Sequence, residues 1–252
     1  MRRVGWIALT AVVLVGMPMS GCKSQPGSQV ESVPAQPQQT FAESGRSERR
    51  EGGERQRRGG RAQTDAAPGA FDFYLLTLSW SPEFCLSHPD AAECAAHPAF
   101  VLHGLWPQNF DGGYPEKCSD APGPANELAY RDILPDTHLL EHEWQTHGTC
   151  SGLAPDAYFN AARQALRSVK IPAELASVQS EIQLVPQQIL VDFAQANPGI
   201  AAGSFALSCG NNRLTAIEVC LGKDLKASAC SGVRSCRANV VKVTPPGATS
   251  DE

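Results

Sequence analysis

The sequence predicts an α+β domain, and three observations carry that expectation. Apolar runs of strand length stand among stretches of helical period, without the regular strand–helix alternation that a parallel sheet requires. Eight of the nine cysteines lie between Cys85 and Cys236, the even number expected of a disulfide framework in an exported domain. The stretch from Phe71 onward, about 175 residues, has the length of a single hydrophobic core.

Arg2 and Arg3 precede an apolar run, Trp6 to Val15, which is too short to span a bilayer and has the shape of a secretory signal. The run leads into Met19-Ser20-Gly21-Cys22. This resembles a bacterial lipobox, with methionine where leucine is usual. That resemblance implies that residues 1–22 are a lipoprotein-type signal and that Cys22 is lipidated and becomes the mature N-terminus; cleavage as an ordinary signal peptide is the competing reading. Residues 23–70 are rich in Gln, Ser, Pro, Gly and Arg, with almost no large apolar residue beyond Phe41. Such a segment cannot bury enough surface to fold and is expected to be a disordered tether, with an end-to-end distance of roughly 40 Å. Within it, Arg46 to Arg61 holds seven arginines against Glu48, Glu51 and Glu54. A solvated spacer is favoured there over a grip on RNA or anionic lipid.

The domain is expected over 71–243, with a flexible tail at 244–252. FDFYLLTLSW (71–80) and FVLHGLW (100–106) read as strands. Pro155 begins a helix through Val169, with apolar positions at Tyr158, Phe159, Ala162, Leu166 and Val169. Pro186 to Ala196 reads as a second helix, stopped by Asn197-Pro198-Gly199. Phe205 to Leu207, a Cys-Gly-Asn-Asn turn and Leu214 to Leu221 read as a hairpin. Residues 71–252 carry eleven Lys plus Arg and twenty Asp plus Glu. A net charge so negative excludes a high-affinity nucleic-acid binder that relies on counterion release, though a transient substrate complex tolerates it.

The chemistry concentrates in two segments. FVLHGLWPQ (100–108) and EHEWQTHGTC (141–150) hold three of the six histidines, together with two glutamates. Imidazole titrates near neutrality, so two histidines can serve as acid and base. A zinc site is the rival. No CxxC pair occurs, and His142 and His147 are five apart, where a zincin helix needs four to put both on one face. The cysteines are therefore read as structural and no metal or cofactor is expected.

Both segments resemble the signature blocks of the ribonuclease T2 family, over Phe71 to about Cys236. The resemblance implies a ribonuclease T2-like fold with a central antiparallel sheet packed with helices. It also implies a metal-independent endoribonuclease acting on single-stranded RNA through a 2′,3′-cyclic phosphate. His103, Glu143 and His147 would be catalytic, with His147 as base and His103 as acid favoured and the reverse left open. His142 and Thr146 fall at phosphate-binding positions, although many members carry lysine where this chain has Thr146. Trp106, Gln108 and Tyr114 fall around a base. Ser79 stands where plant members carry glutamine. Eight cysteines allow 105 connectivities, and the resemblance implies Cys85–Cys94, Cys118–Cys150, Cys209–Cys236 and Cys220–Cys230. A monomer with RNA as its partner is expected, held at the periplasmic side of the outer membrane through Cys22. A catalytically weak T2-fold lipoprotein that binds RNA or protein is the second reading, motivated by Thr146 and the acidic surface.

Overall fold

The computed structural model describes residues 61–248, His97 excepted. The signal-like segment, Cys22, most of the arginine-rich stretch and the last four residues lie outside the described residues, and no described helix is long and apolar enough to cross a membrane.

The strands are β1 (Ala62–Gln63), β2 (Phe73–Trp80), β3 (Phe100–Gln108), β4 (Tyr114–Pro115), β5 (Ile182–Leu184), β6 (Phe205–Gly210), β7 (Arg213–Leu221) and β8 (Val241–Val243). The helices are α1 (Ser81–Cys85), α2 (Thr137–Thr146), α3 (Pro155–Ser168), α4 (Ala173–Ala176) and α5 (Pro186–Ala196). One sheet runs in the order β3-β2-β7-β8-β5, with β6 also paired to β7. Its long pairings are antiparallel, and β7 meets β8 in parallel at Arg213 and Lys242 alone.

β2 is buried on both faces, which is why it reads as an almost unbroken apolar run. Tyr74, Leu76, Leu78 and Trp80 enter the main core with the helices. Phe73 and Leu75 point the other way and pack with Trp106 and Cys220. The two longer predicted helices form as expected, each opened by proline in its first turn, where the missing N–H costs nothing. α3 buries Tyr158, Phe159, Ala162 and Ala165, and α5 buries Ile189 and Phe193. α5 stops at Asn197, whose amide donates to the Phe193 carbonyl at 2.8 Å and brackets the Lys170 backbone. The β6–β7 hairpin turns on Asn211 and Asn212, both at positive φ (51° and 58°). A two-residue turn of this kind needs the left-handed conformation that asparagine tolerates.

Two expected boundaries move. Residues 61–70 are part of the fold: β1 pairs in parallel with β4, and Gly69 donates its N–H to the Cys150 carbonyl at 2.9 Å. Thr244, expected to begin the tail, is 3% exposed. Its carbonyl accepts from the Trp80 indole at 2.9 Å, and its hydroxyl accepts from Arg213 at 2.9 Å. The eight cysteines of the domain form four disulfides, Cys85–Cys94, Cys118–Cys150, Cys209–Cys236 and Cys220–Cys230.

Candidate active site

The site begins with an irregularity in β3. Thr77 pairs with Gly104 and Leu78 with Leu102, which leaves His103 as the extra residue of a β-bulge. Strict alternation would turn His103 into the core with Leu105. The bulge instead lets Leu102 and Leu105, three apart, both enter the core at 2% and 0% exposure, and leaves His103 on the opposite face. There its Nδ1 lies 3.1 Å from the Ser79 hydroxyl oxygen. Ser79 reaches that face by alternation from Phe73 and Leu75.

α2 supplies the second half. Asp136 caps it, accepting from the His138 N–H at 2.9 Å. Leu140, Glu143 and Trp144 share its buried face, the i, i+3, i+4 set of a helix packed on a core. Trp144 anchors the helix by packing on Tyr158 and Phe159, and its indole donates to the Ala121 carbonyl at 2.7 Å. Tyr158 in turn donates to the Leu105 carbonyl at 2.9 Å, so α3 joins the helix to the bulged strand.

The two halves meet at Glu143 and Trp106. The Trp106 indole N–H donates to Glu143 Oε2 at 2.6 Å, and Glu143 Oε1 lies 3.8 Å from His103 Nε2. Glu143 is 1% exposed, so this hydrogen bond meets some of the cost of burying a carboxylate. The Trp106 ring stands between the two imidazoles, 5.0 Å from that of His103 and 5.3 Å from that of His147. Gly104 makes this approach possible, because a Cβ there would overlap Glu143 Oε2 and Trp106 Nε1. Gly148 has the same role farther out, where a Cβ would collide with the Trp144 ring. Lys117 donates its backbone N–H to the Thr146 carbonyl at 2.9 Å, and the adjoining Cys118–Cys150 bridge fastens the end of α2.

His147 does not continue the helix. It is the C-cap, with φ −120° and ψ −45°, and this departure brings its ring back toward His142, 6.3 Å between centroids. The donor atoms of His142, Glu143 and His147 consequently fall within 4.8 Å of one another. A five-residue spacing counts against metal only on a helix that runs on through His147, which this one does not, so spacing cannot decide the question. Cys85, Glu93 and Cys94 are also close together, but those two sulfurs form a disulfide.

His103, Trp106, Glu143 and His147 are thus brought together, with His142 exposed beside them and Thr146 buried behind. The expected base contacts change. Trp106 and Tyr114 are 4% and 2% exposed, which leaves neither an open ring face for stacking; Trp106 holds Glu143, and Tyr114 is covered in β4 beside Ala62. Gln108 lines a cleft on the sheet face. Ser79 and Gly104 were not singled out as site residues from sequence, although alternation along β2 and the three-residue spacing of Leu102 and Leu105 carry the signal for both.

The ribonuclease T2 family model matches residues 71–230. The chain belongs to the ribonuclease T2 family. It is 40% identical over 116 residues to a ribonuclease of Aeromonas hydrophila, a match covering 45% of this chain and 54% of that protein. It is 31% identical over 194 residues to ribonuclease DdI of Dictyostelium discoideum, covering 66% of this chain and 84% of that one. The chain therefore spans about half the length of its Aeromonas relative and most of the Dictyostelium one. Among solved structures, an RNase-related protein from Calystegia sepium superposes with a TM-score of 0.58 at 24% identity, over 69% of this chain and 97% of that one. That likeness establishes the T2-like fold.

Proposed function

We propose that this T2-family chain is a metal-independent endoribonuclease that cleaves single-stranded RNA by transphosphorylation through a 2′,3′-cyclic phosphate. The observation that carries the proposal is the convergence of His103, Glu143 and His147 around Trp106. His147 takes the proton of the ribose 2′-hydroxyl as that oxygen attacks phosphorus, and His103 protonates the departing 5′-oxygen. Water then opens the cyclic phosphate with the roles reversed. A carboxylate 3.8 Å from Nε2 pairs with a protonated His103, which suits the acid of the first step. His142, exposed at the site, and Thr146 are assigned to the phosphate, where each donor stabilises the charge that grows on its oxygens.

The same proposal places the protein outside the cytoplasm, because four disulfides persist in an oxidising compartment. It extends to lipidation of Cys22, a tether ahead of Arg61, the periplasmic face of the outer membrane and a monomeric state. RNA cleavage by the oxidised protein in excess EDTA tests the catalytic reading. His103→Ala and His147→Ala should each lower the rate by about 10²–10⁴-fold. Full activity in either variant would overturn the assignment of acid and base. Loss of activity in EDTA would assign His142, Glu143 and His147 to a metal instead. No cleavage by the wild-type protein would favour a binding module.

A further inference from the structure

The sheet face that carries His103 continues past the proton-transfer groups into a cleft of about 320 Å³, toward the small end of ligand sites. Phe73, Leu75, Gln108, Glu218, Val233 and Arg234 line it. Glu218 pairs with Thr77, which pairs with Gly104 beside His103. Two strand spacings, about 10 Å, therefore separate Glu218 from the bulge, a distance one nucleotide can bridge. Glu218 is 8% exposed. Its Oε1 accepts from the Ser208 hydroxyl at 2.9 Å, a bond that fixes the carboxylate. At the rim, Phe110 stacks on Phe73 with 5.3 Å between centroids and 16° between planes, yet stays 52% exposed.

We propose that this cleft is a guanine-specific base subsite in which Glu218 reads the Watson–Crick edge and the Phe110 rim offers an aromatic face. The proposal rests on the ribonuclease reading above. A carboxylate only accepts hydrogen bonds, and guanine alone presents two adjacent donors, N1–H and the N2 amine. Adenine and cytosine set a ring acceptor beside their amine, and uracil flanks its single N–H with two carbonyl oxygens, so each of these turns lone pairs toward Glu218. Single-stranded RNA exposes these edges, and aromatic side chains stack on its splayed bases. Arg234, on the same cleft, offsets the repulsion between Glu218 and substrate phosphates.

The test measures binding of 5′-GMP and 5′-UMP to the full-length oxidised chain, together with kcat/KM for GpU, UpG and UpU. The wild-type chain should prefer GMP over UMP by about tenfold or more, the discrimination expected of a bidentate contact. One guanine dinucleotide should outpace UpU by a similar factor. Glu218→Gln, which keeps an acceptor for Ser208 but adds a donor, should erase the preference. Glu218→Asp, which withdraws the charge by one methylene, should reduce it. Circular dichroism confirms that each variant is folded. Equal binding of GMP and UMP by the wild-type chain, or a preference that survives in folded Glu218→Gln, overturns the proposal. If no dinucleotide is cleaved but the GMP preference is present and Glu218-dependent, the subsite stands and the catalytic reading falls.

Discussion

Replacing Gly104 by alanine probes how the two halves of the site are joined. The added methyl carbon would overlap Glu143 Oε2 and Trp106 Nε1, the partners of a 2.6 Å hydrogen bond. Neither yields easily, since Glu143 is 1% and Trp106 4% exposed. Overpacking a fitted interior costs about 1–3 kcal/mol, and separating the indole from a buried carboxylate forfeits about 1.5–3 kcal/mol. Gly104→Ala should therefore destabilise the domain by about 3 kcal/mol in urea unfolding. Its kcat/KM should fall about 10²-fold, the effect of displacing a reacting group by about 1 Å. Gly199→Ala is the matched control, because nothing lies within 4 Å of a Cβ there. It should be neutral, or stabilising by about 0.4–1 kcal/mol through the unfolded chain. A Gly104→Ala protein with wild-type stability and rate would refute the reasoning that Gly104 is required by the contact between Trp106 and Glu143.

Ser79→Ala should leave folding intact but free His103 at Nδ1; kcat should drop about tenfold or less, the worth of one net hydrogen bond, with a shift in one limb of the pH–rate profile. Replacing both Cys118 and Cys150, which close a loop across a separation of 32 residues, should cost about 3–4 kcal/mol in unfolding measurements. Activity should fall with stability, because the bridge fastens the end of α2. Hydrogen bonding from Arg163 holds the Asp132 carboxyl below its ordinary value, and Lys242 and Arg213 do the same for Glu181. Lowered folded-state values mean stability that is present above the ordinary carboxylate range and lost as pH falls through it. Urea midpoints should decline on acidification, and less steeply in Arg163→Leu.

Much of this fold is legible in the chain because burial and period agree. β2, α3 and α5 form as their patterns predict, and the paired asparagines mark their hairpin. Where readings moved, the deciding force was a backbone contact or a local break that hydropathy does not register. Residues 61–70 lack large apolar side chains and so read as tether, yet the Arg61 and Gln63 carbonyls accept N–H groups from Tyr114 and Glu116 at 3.2 and 3.0 Å. Thr244 reads as tail because its anchor, Trp80, lies 164 residues away. His142 and His147 would be held apart by a continuous helix, and the chain leaves that helix at His147. Disulfide connectivity could not follow from spacing at all. In the site, His103 and His147 stand out by composition, whereas Ser79, Gly104 and the bulge emerge only when the apolar spacing of β3 is read as a geometric constraint.

The central claim is that His103 and His147 move protons while the ribose 2′-hydroxyl does the cutting. End-group analysis of fragments from a short RNA incubation in EDTA tests it most directly. Fragments ending in 2′,3′-cyclic phosphate, absent from the His103→Ala reaction, are the predicted result. Fragments carrying 5′-phosphate and 3′-hydroxyl ends would contradict it, because attack by water cannot leave a cyclic product.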